Sequence, residues 1–271
     1  MKTHRKFATV IVVACLLHLP YVAFCKHKGD ADKKEERVEI KYLVPEANIE
    51  TVAKRLKLDP DHPTETRVIC FYDTDALTLF TRTPKVILRS RYSAGTDQKT
   101  GDTTVKVRGG KVEGKGVKCE FDKVIGKDKM ESCSLTDENQ ELDQIQTANK
   151  GSGVKRIFNH DQEELLKQAN INLDWNLLVP FGPVEGVKIW KDLSAEGLDK
   201  VTVERWELPA RDGKPKRVLF EVSTKVPVSQ ESQATEALSK ALGITSAEKQ
   251  EEETKTKIVM DHYAGDHSTK P

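Results

Sequence analysis

The sequence predicts an α+β fold that is mostly β: an antiparallel barrel of about eight strands with peripheral helices. Three observations carry this. Eight segments rich in β-branched and aromatic residues are separated by Gly, Asp, Asn, Ser or Thr. Along them apolar and charged residues alternate with period two, giving each strand one apolar and one charged face. Amphipathic stretches with helix starts and stops stand at the joins. The chain has 271 residues, 37% apolar and 32% charged, which suits one large or two modest domains. A net charge of +1 gives no signal for nucleic acid.

The elements follow in order. A basic start, Met1 to Lys6, precedes an apolar run from Phe7 to Cys25 and then an abruptly polar stretch, so residues 1–25 read as a signal peptide and 26–36 as a charged linker. Two other readings stay open. The run is long enough for a retained anchor, although His18 and Pro20 weaken it, and Val12 to Cys15 looks like a lipoprotein cleavage box. The expected setting is therefore secreted or periplasmic, with contact to a membrane only if the leader is retained or lipidated.

The first strand covers 37–44 and stops at Pro45. Asn48 then caps a helix whose Ile49, Val52, Ala53 and Leu56 share a face. Strands follow over 66–74, 84–93, 102–110 and 116–124, in the pattern of a meander. Residues 126–153 are so polar that they read as a loop or a loosely held helix. Asn159 caps the next helix, with Leu165, Leu166 and Ala169 facing the fold. Strands over 183–193, 199–209 and 216–226 complete the set, with a turn at Ala210 to Pro215. Pro227 ends the last of them. The helix after it presents Ala234, Ala237, Leu238, Ala241 and Leu242 on one face and stops at Gly243. A final charged helix covers about 246–262, leaving 264–271 as a tail.

Beyond the leader only Cys70, Cys119 and Cys133 remain. An exported chain permits a disulfide, and Cys119 with Cys133 is the expected pair, leaving Cys70 buried in a strand; the plain alternative is three small apolar residues. Metal spacings such as C-x-x-C, phosphate-loop motifs and serine-nucleophile motifs do not occur in the sequence. His160 and His262 read as surface or capping residues. Trp175, Trp190 and Trp206 read as packing residues, with stacking on a base or ring as the second reading.

The charged faces are the informative feature. Glu39 and Lys41 share one side of the first strand with Arg37, Arg89 pairs with Arg91, and Lys106 with Arg108. Lys118, Glu120 and Asp122 line up on one face, as do Glu221, Ser223 and Lys225. A sheet with one solvated face would explain the alternation alone. Paired cations with acids among them, curled into a barrel, instead make a cavity that only a polyanion or a metal-bound polyanion would justify.

In order and spacing, Arg37 to Val44, Phe71 to Phe80, Val86 to Ser93, Thr104 to Gly110 and Val117 to Asp122 resemble the CYTH domain of the triphosphate tunnel metalloenzymes. The Phe71 to Phe80 segment resembles the family's Tyr-Phe-Asp-Thr-Pro-Asp-Leu box. Val201 to Trp206, Phe220 to Lys225 and Thr256 to Ile258 extend the resemblance over 37–263. It implies a CYTH-like tunnel that binds a triphosphate-containing small molecule or polyphosphate and hydrolyses it with a divalent metal. It implies phosphate contacts at Lys41, Arg89, Arg91, Lys106, Arg108, Lys188, Lys225 and Lys257, and Mg²⁺ or Mn²⁺ ligands at Glu39, Glu120 and Glu221. Two departures weaken the metal side: Arg37 and Ser223 stand where the family keeps carboxylates. A non-catalytic polyanion-binding or protein-interaction module is the alternative.

Overall fold

The structure is a computed structural model and describes residues 35–95, 97–244 and 254–265. The segments read from sequence as a signal peptide and most of a linker, the start of the expected last helix and the end of the expected tail lie outside these residues. Among the described residues no helix is long and apolar enough to cross a membrane.

Among the described residues nine strands close into one barrel: β1 (Arg37–Val44), β2 (Glu65–Thr74), β3 (Lys85–Ser93), β4 (Thr100–Arg108), β5 (Lys118–Val124), β6 (Met130–Glu141), β7 (Leu178–Ala195), β8 (Leu198–Leu208) and β9 (Arg217–Pro227). Their order around the barrel is β1-β5-β6-β4-β3-β2-β7-β8-β9. The additional strand is β6, inside the stretch read from sequence as a loop. Its outward residues offer only Cys133 and Leu135 to the core, and its other face is Ser132, Ser134 and Thr136. Too little apolar alternation remains for a strand signal. The barrel is also not wholly antiparallel, because β5 lies parallel to β1, with Val38 to Lys41 beside Phe121 to Val124.

Among the described residues six helices pack around or across the barrel: α1 (Ile49–Arg55), α2 (Thr78–Thr81), α3 (Leu142–Ala148), α4 (His160–Gln168), α5 (Glu231–Leu242) and α6 (Lys255–Tyr263). Helices α3 and α4 bury Ile145, Leu165 and Leu166 against Val105, Val107 and Cys133. Helices α1 and α5 bury Val52, Ala234 and Leu238 against Val38, Ile40, Val203 and Val222. Each fully buried aliphatic side chain contributes about 1.5–3 kcal/mol, so the outward strand faces supply most of the fold's stabilisation. Helix α6 is different. Its Ile258, Val259 and Met260 join a cluster containing the inward-facing Leu43, Ile69, Phe71 and Ile87, so it closes one end of the barrel.

The predicted caps fare unequally. Asn159 accepts from the Gln162 amide at 2.9 Å while the Gln162 side chain accepts from the Asn159 amide at 3.1 Å, a reciprocal capping box. Gln162 also donates to the carbonyls of Thr103 and Leu135, tying α4 to β4 and β6. Gly243 stops α5 at a φ of 68°. Asn48 makes no side-chain cap bond, because Glu46–Asn48 forms a 3₁₀ turn that runs into α1. His262 is buried, not on the surface, and its Nε2 lies 2.8 Å from the Pro209 carbonyl.

Cys119 and Cys133 form the expected disulfide across β5 and β6, and Cys70 is free and buried. Closing a loop with a sequence separation of 14 restricts the unfolded chain by about 3 kcal/mol. Replacing both cysteines with alanine should lower unfolding stability by about 2–3 kcal/mol in a urea titration; an unchanged midpoint would show that the bond is energetically idle.

Candidate functional site

The inward strand faces enclose a cavity of about 300 Å³. β1 supplies Glu39 and Lys41, β2 Arg67, β3 Arg89 and Arg91, β4 Lys106 and Arg108, β5 Glu120 and Asp122, β8 Glu204, and β9 Glu221 and Lys225. The N-terminus of α6 adds Lys255. Thr104, Ser134 and Thr136 contribute hydroxyls. The wall is thus basic in balance, with carboxylates set among the cations. A second, more open cavity of about 330 Å³ shares Arg67 and Arg91 with the first and is bordered by Glu65, Asp102 and Glu138.

Strand register explains the groupings. In the parallel contact Glu39 is the neighbour of Asp122, and on its other side it neighbours Lys225. The Lys41 ammonium lies 2.8 Å from Glu39 and 2.7 Å from Asp122. Lys106 and Arg108 each reach the other Asp122 oxygen at 3.0 Å. Burial alone would raise the Asp122 carboxyl, yet Lys41, Arg108 and Lys106 outweigh it and hold the group far below the usual carboxylate range. Burial likewise opposes the charge on Lys41, but Glu39 and Asp122 hold its ammonium above the ordinary lysine value. Lys106 has the opposite balance: burial first, then the adjacent Lys41, pull it down to about 8.

The arginines divide into restrained and unrestrained ones. Glu65 clamps Arg67 through two bonds at 2.5 and 2.8 Å, and Asp102 accepts from Arg91 Nε at 3.0 and 3.1 Å. Arg89 has no such acid. One terminal nitrogen lies 3.4 Å from the Thr104 hydroxyl, while its Nε is buried without a partner. Burial and the neighbouring Arg91 pull its guanidinium down to about 9. Arg108 Nε is also buried and unpartnered.

Of the residues expected from sequence, Lys41, Arg89, Arg91, Lys106, Arg108, Lys225, Glu39, Glu120 and Glu221 line the cavity. Two do not. Lys188 donates to the Pro60 carbonyl at 2.9 Å, and Lys257 pairs with Asp261 one helical turn on. The α6 residue in the cavity is Lys255. Spacing shows why: residues four apart share a helix face, so Lys255 goes with the buried Val259, and Lys257 with Asp261. Arg67, Asp122, Glu204, Ser134 and Thr136 were also missed: Asp122 shares the face of the chosen Glu120 on its own strand, whereas Ser134 and Thr136 lie on β6, the segment read as a loop.

The acid grouping differs from the expected one as well. Glu39, Glu120 and Asp122 bring carboxylate oxygens within 4.8 Å of one another. Glu221 stands apart with Glu204 on Lys255. Three oxygen donors in one place suit a hard divalent cation. The Lys41 ammonium between two of them shows that the position favours positive charge, so the residues fit a metal ion. Arg37 is not part of the cavity wall; exposed at the start of β1, it donates to the Lys225 carbonyl at 2.9 Å. Ser223 is buried and also absent from the wall.

No family model and no curated protein matches the chain. Solved structures do. A candidate adenylyl cyclase from Hippeastrum, described as having a dominant triphosphatase activity, superposes with a TM-score of 0.51 at 14% identity, covering 84% of this chain and 95% of its own. A candidate adenylate cyclase from Bacillus halodurans gives 0.54 at 13% identity, covering 83% and 97%. The fold is therefore the CYTH-like tunnel that the sequence motifs resemble.

Because Asp122 compensates three buried cations, Asp122→Asn should cost about 3–5 kcal/mol at pH 7 in chemical denaturation. The sign with pH follows from its depressed folded value. Its contribution is complete above about pH 4, the unfolded carboxylate range, and is lost on acidification below that. The variant should therefore lose stability less steeply than the parent below pH 4. Parallel acid limbs in the two proteins would refute this role.

Proposed function

We propose that the tunnel binds the triphosphate or polyphosphate group of a small molecule and hydrolyses it with the help of a divalent ion, Mg²⁺ or Mn²⁺. The observation that carries this reading is Arg89. A guanidinium buried in a barrel with an unpartnered Nε and no carboxylate of its own is costly unless an anion completes it. Phosphate oxygens match its fork, and Lys106, Arg108 and the hydroxyls of Thr104 and Thr136 surround the same space.

Glu39, Glu120 and Asp122 are the residues that would hold the ion, which when bound neutralises phosphate oxygens and lowers the barrier to attack by water at phosphorus. The chain's own part is to grip and orient the phosphates with Arg89, Lys106 and Arg108, and to offset the negative charge that builds on the departing phosphate. A binding module without turnover is the second reading. It is favoured by the Lys41 ammonium, which already sits between two of the three candidate ligands. The reading also sets the protein outside the cytoplasm, with the Cys119–Cys133 bond in support.

Tripolyphosphate at a hundredfold excess over its Kd should raise the melting temperature by about 5–10 °C, and phosphate release with Mg²⁺ or Mn²⁺ should accompany it. A thermal shift without release selects the binding module; neither signal removes the reading. Arg89→Met should weaken tripolyphosphate by about tenfold or more while leaving the free protein equally stable or more so, since an unpaired buried charge is removed. A merely structural arginine would give the reverse pattern.

Lys106 supplies a pH signature. With a free value of about 8, it is neutral above that pH, and an anion beside it restores the proton. Affinity should be greatest below pH 8 and fall above it, with proton uptake on binding at pH 8.5 measured by calorimetry in buffers of different ionisation enthalpy. Lys106→Met should abolish the uptake; an uptake that persists in this variant assigns it to another group.

A further inference from the structure

The tunnel's carboxylates fall into two groups: Glu39, Glu120 and Asp122, with Lys41 between two of them, and Glu204 and Glu221, with Lys255 between both. Glu204 and Glu221 stand directly opposite one another on β8 and β9. Like charges in that register repel across a short gap, and here both side chains are largely buried, 26% and 15% exposed. Lys255 removes the conflict. Its ammonium is hydrogen-bonded to Glu204 and lies 2.7 Å from Glu221.

The ammonium site is built from more than two acids. The Trp206 ring centroid lies 4.8 Å from Lys255 Nζ, close enough for a cation–π contact. The indole Nε1 of Trp206 donates to Glu204 Oε2 at 2.9 Å, the same oxygen that Lys255 contacts, which fixes the carboxylate's orientation. The helix carrying the lysine is also fastened at its far end. Lys214 donates to the carbonyls of Asp261, His262 and Ala264 at 2.7–2.9 Å. Burial opposes the charge on Lys255, but Glu204 and Glu221 outweigh it and raise its proton affinity.

The other group contrasts with this one. It has a third carboxylate beyond the two that Lys41 joins: Glu120, whose partner Lys225 has a side chain 42% exposed. Two carboxylates, with water in the remaining positions, can hold a small divalent ion. An ammonium has three donors, so two carboxylates leave it one to offer a ligand oxygen.

We propose that Lys255 is a resident cation occupying the position a divalent ion would take between Glu204 and Glu221, so that the tunnel accepts one such ion and not two. The proposal rests on the phosphate-and-metal reading above. Positive charge at this end of the tunnel is then independent of metal concentration and cannot be removed by a chelator.

Mn²⁺ binding to the full chain, followed by electron paramagnetic resonance, tests it without reference to turnover. Lys255→Met, which keeps the aliphatic length, should bind one more Mn²⁺ per chain than the parent, and adding Glu204→Gln should remove the gain. Equal stoichiometry in parent and Lys255→Met overturns the proposal. Should that variant fail to fold, the parent background still decides. Glu221→Gln should leave Mn²⁺ affinity within about twofold, and a tenfold loss would make Glu221 a metal ligand and sink the idea. Parent protein that binds no Mn²⁺ refutes the metal part of the functional reading separately; the difference between parent and Lys255→Met remains the test of this one.

Discussion

Everything in this barrel depends on compensating charge that has been taken out of water. A closed sheet has two faces, and here the outward one is used for helix packing, so charged residues of β1 to β5, β8 and β9 are forced into a common interior. Several unpaired ions in so small a volume would unfold a protein of ordinary marginal stability. The strand register prevents this by setting acid beside base: Glu39 between Asp122 and Lys225, and Asp122 within reach of Lys41, Lys106 and Arg108. What the register does not compensate is then informative. Arg89 and Arg108 both keep an unpartnered buried Nε, and of the two Arg89 is the one without a carboxylate of its own, so its place in the wall is where an anion is most wanted.

The two ends of the interior have different characters for the same reason. At one end the inward residues turn apolar, with Leu43, Phe71 and Ile87 in one cluster with residues of α6. At the other, Arg67 and Arg91 are held by Glu65 and Asp102 and face a second open cavity. A ligand's charged portion is accordingly drawn to the middle, where Arg89 has no carboxylate of its own.

Much of this was legible in the sequence. Period-two alternation identified which side chains share a face, and Asn159, Gly243 and the Cys119–Cys133 pair were readable from local chemistry. Three things were not. β6 lacks the apolar alternation that announces a strand, because its inner face is hydroxyl-bearing and its tip is charged. The parallel docking of β5 on β1 is a long-range event without local signature, and it is what makes Asp122, not Glu221, the companion of Glu39. The exchange of Lys257 for Lys255 needed the helix face to be counted from Val259, a residue whose burial only the assembled barrel determines.

The short parallel contact between β1 and β5 is the seam at which the barrel closes, and the same few residues carry Glu39, Lys41 and Asp122. Wall and site are thus one object. A ligand that draws Lys41 away from its two carboxylates alters the forces across the closure itself, so filling the tunnel and holding it shut become a single equilibrium rather than two.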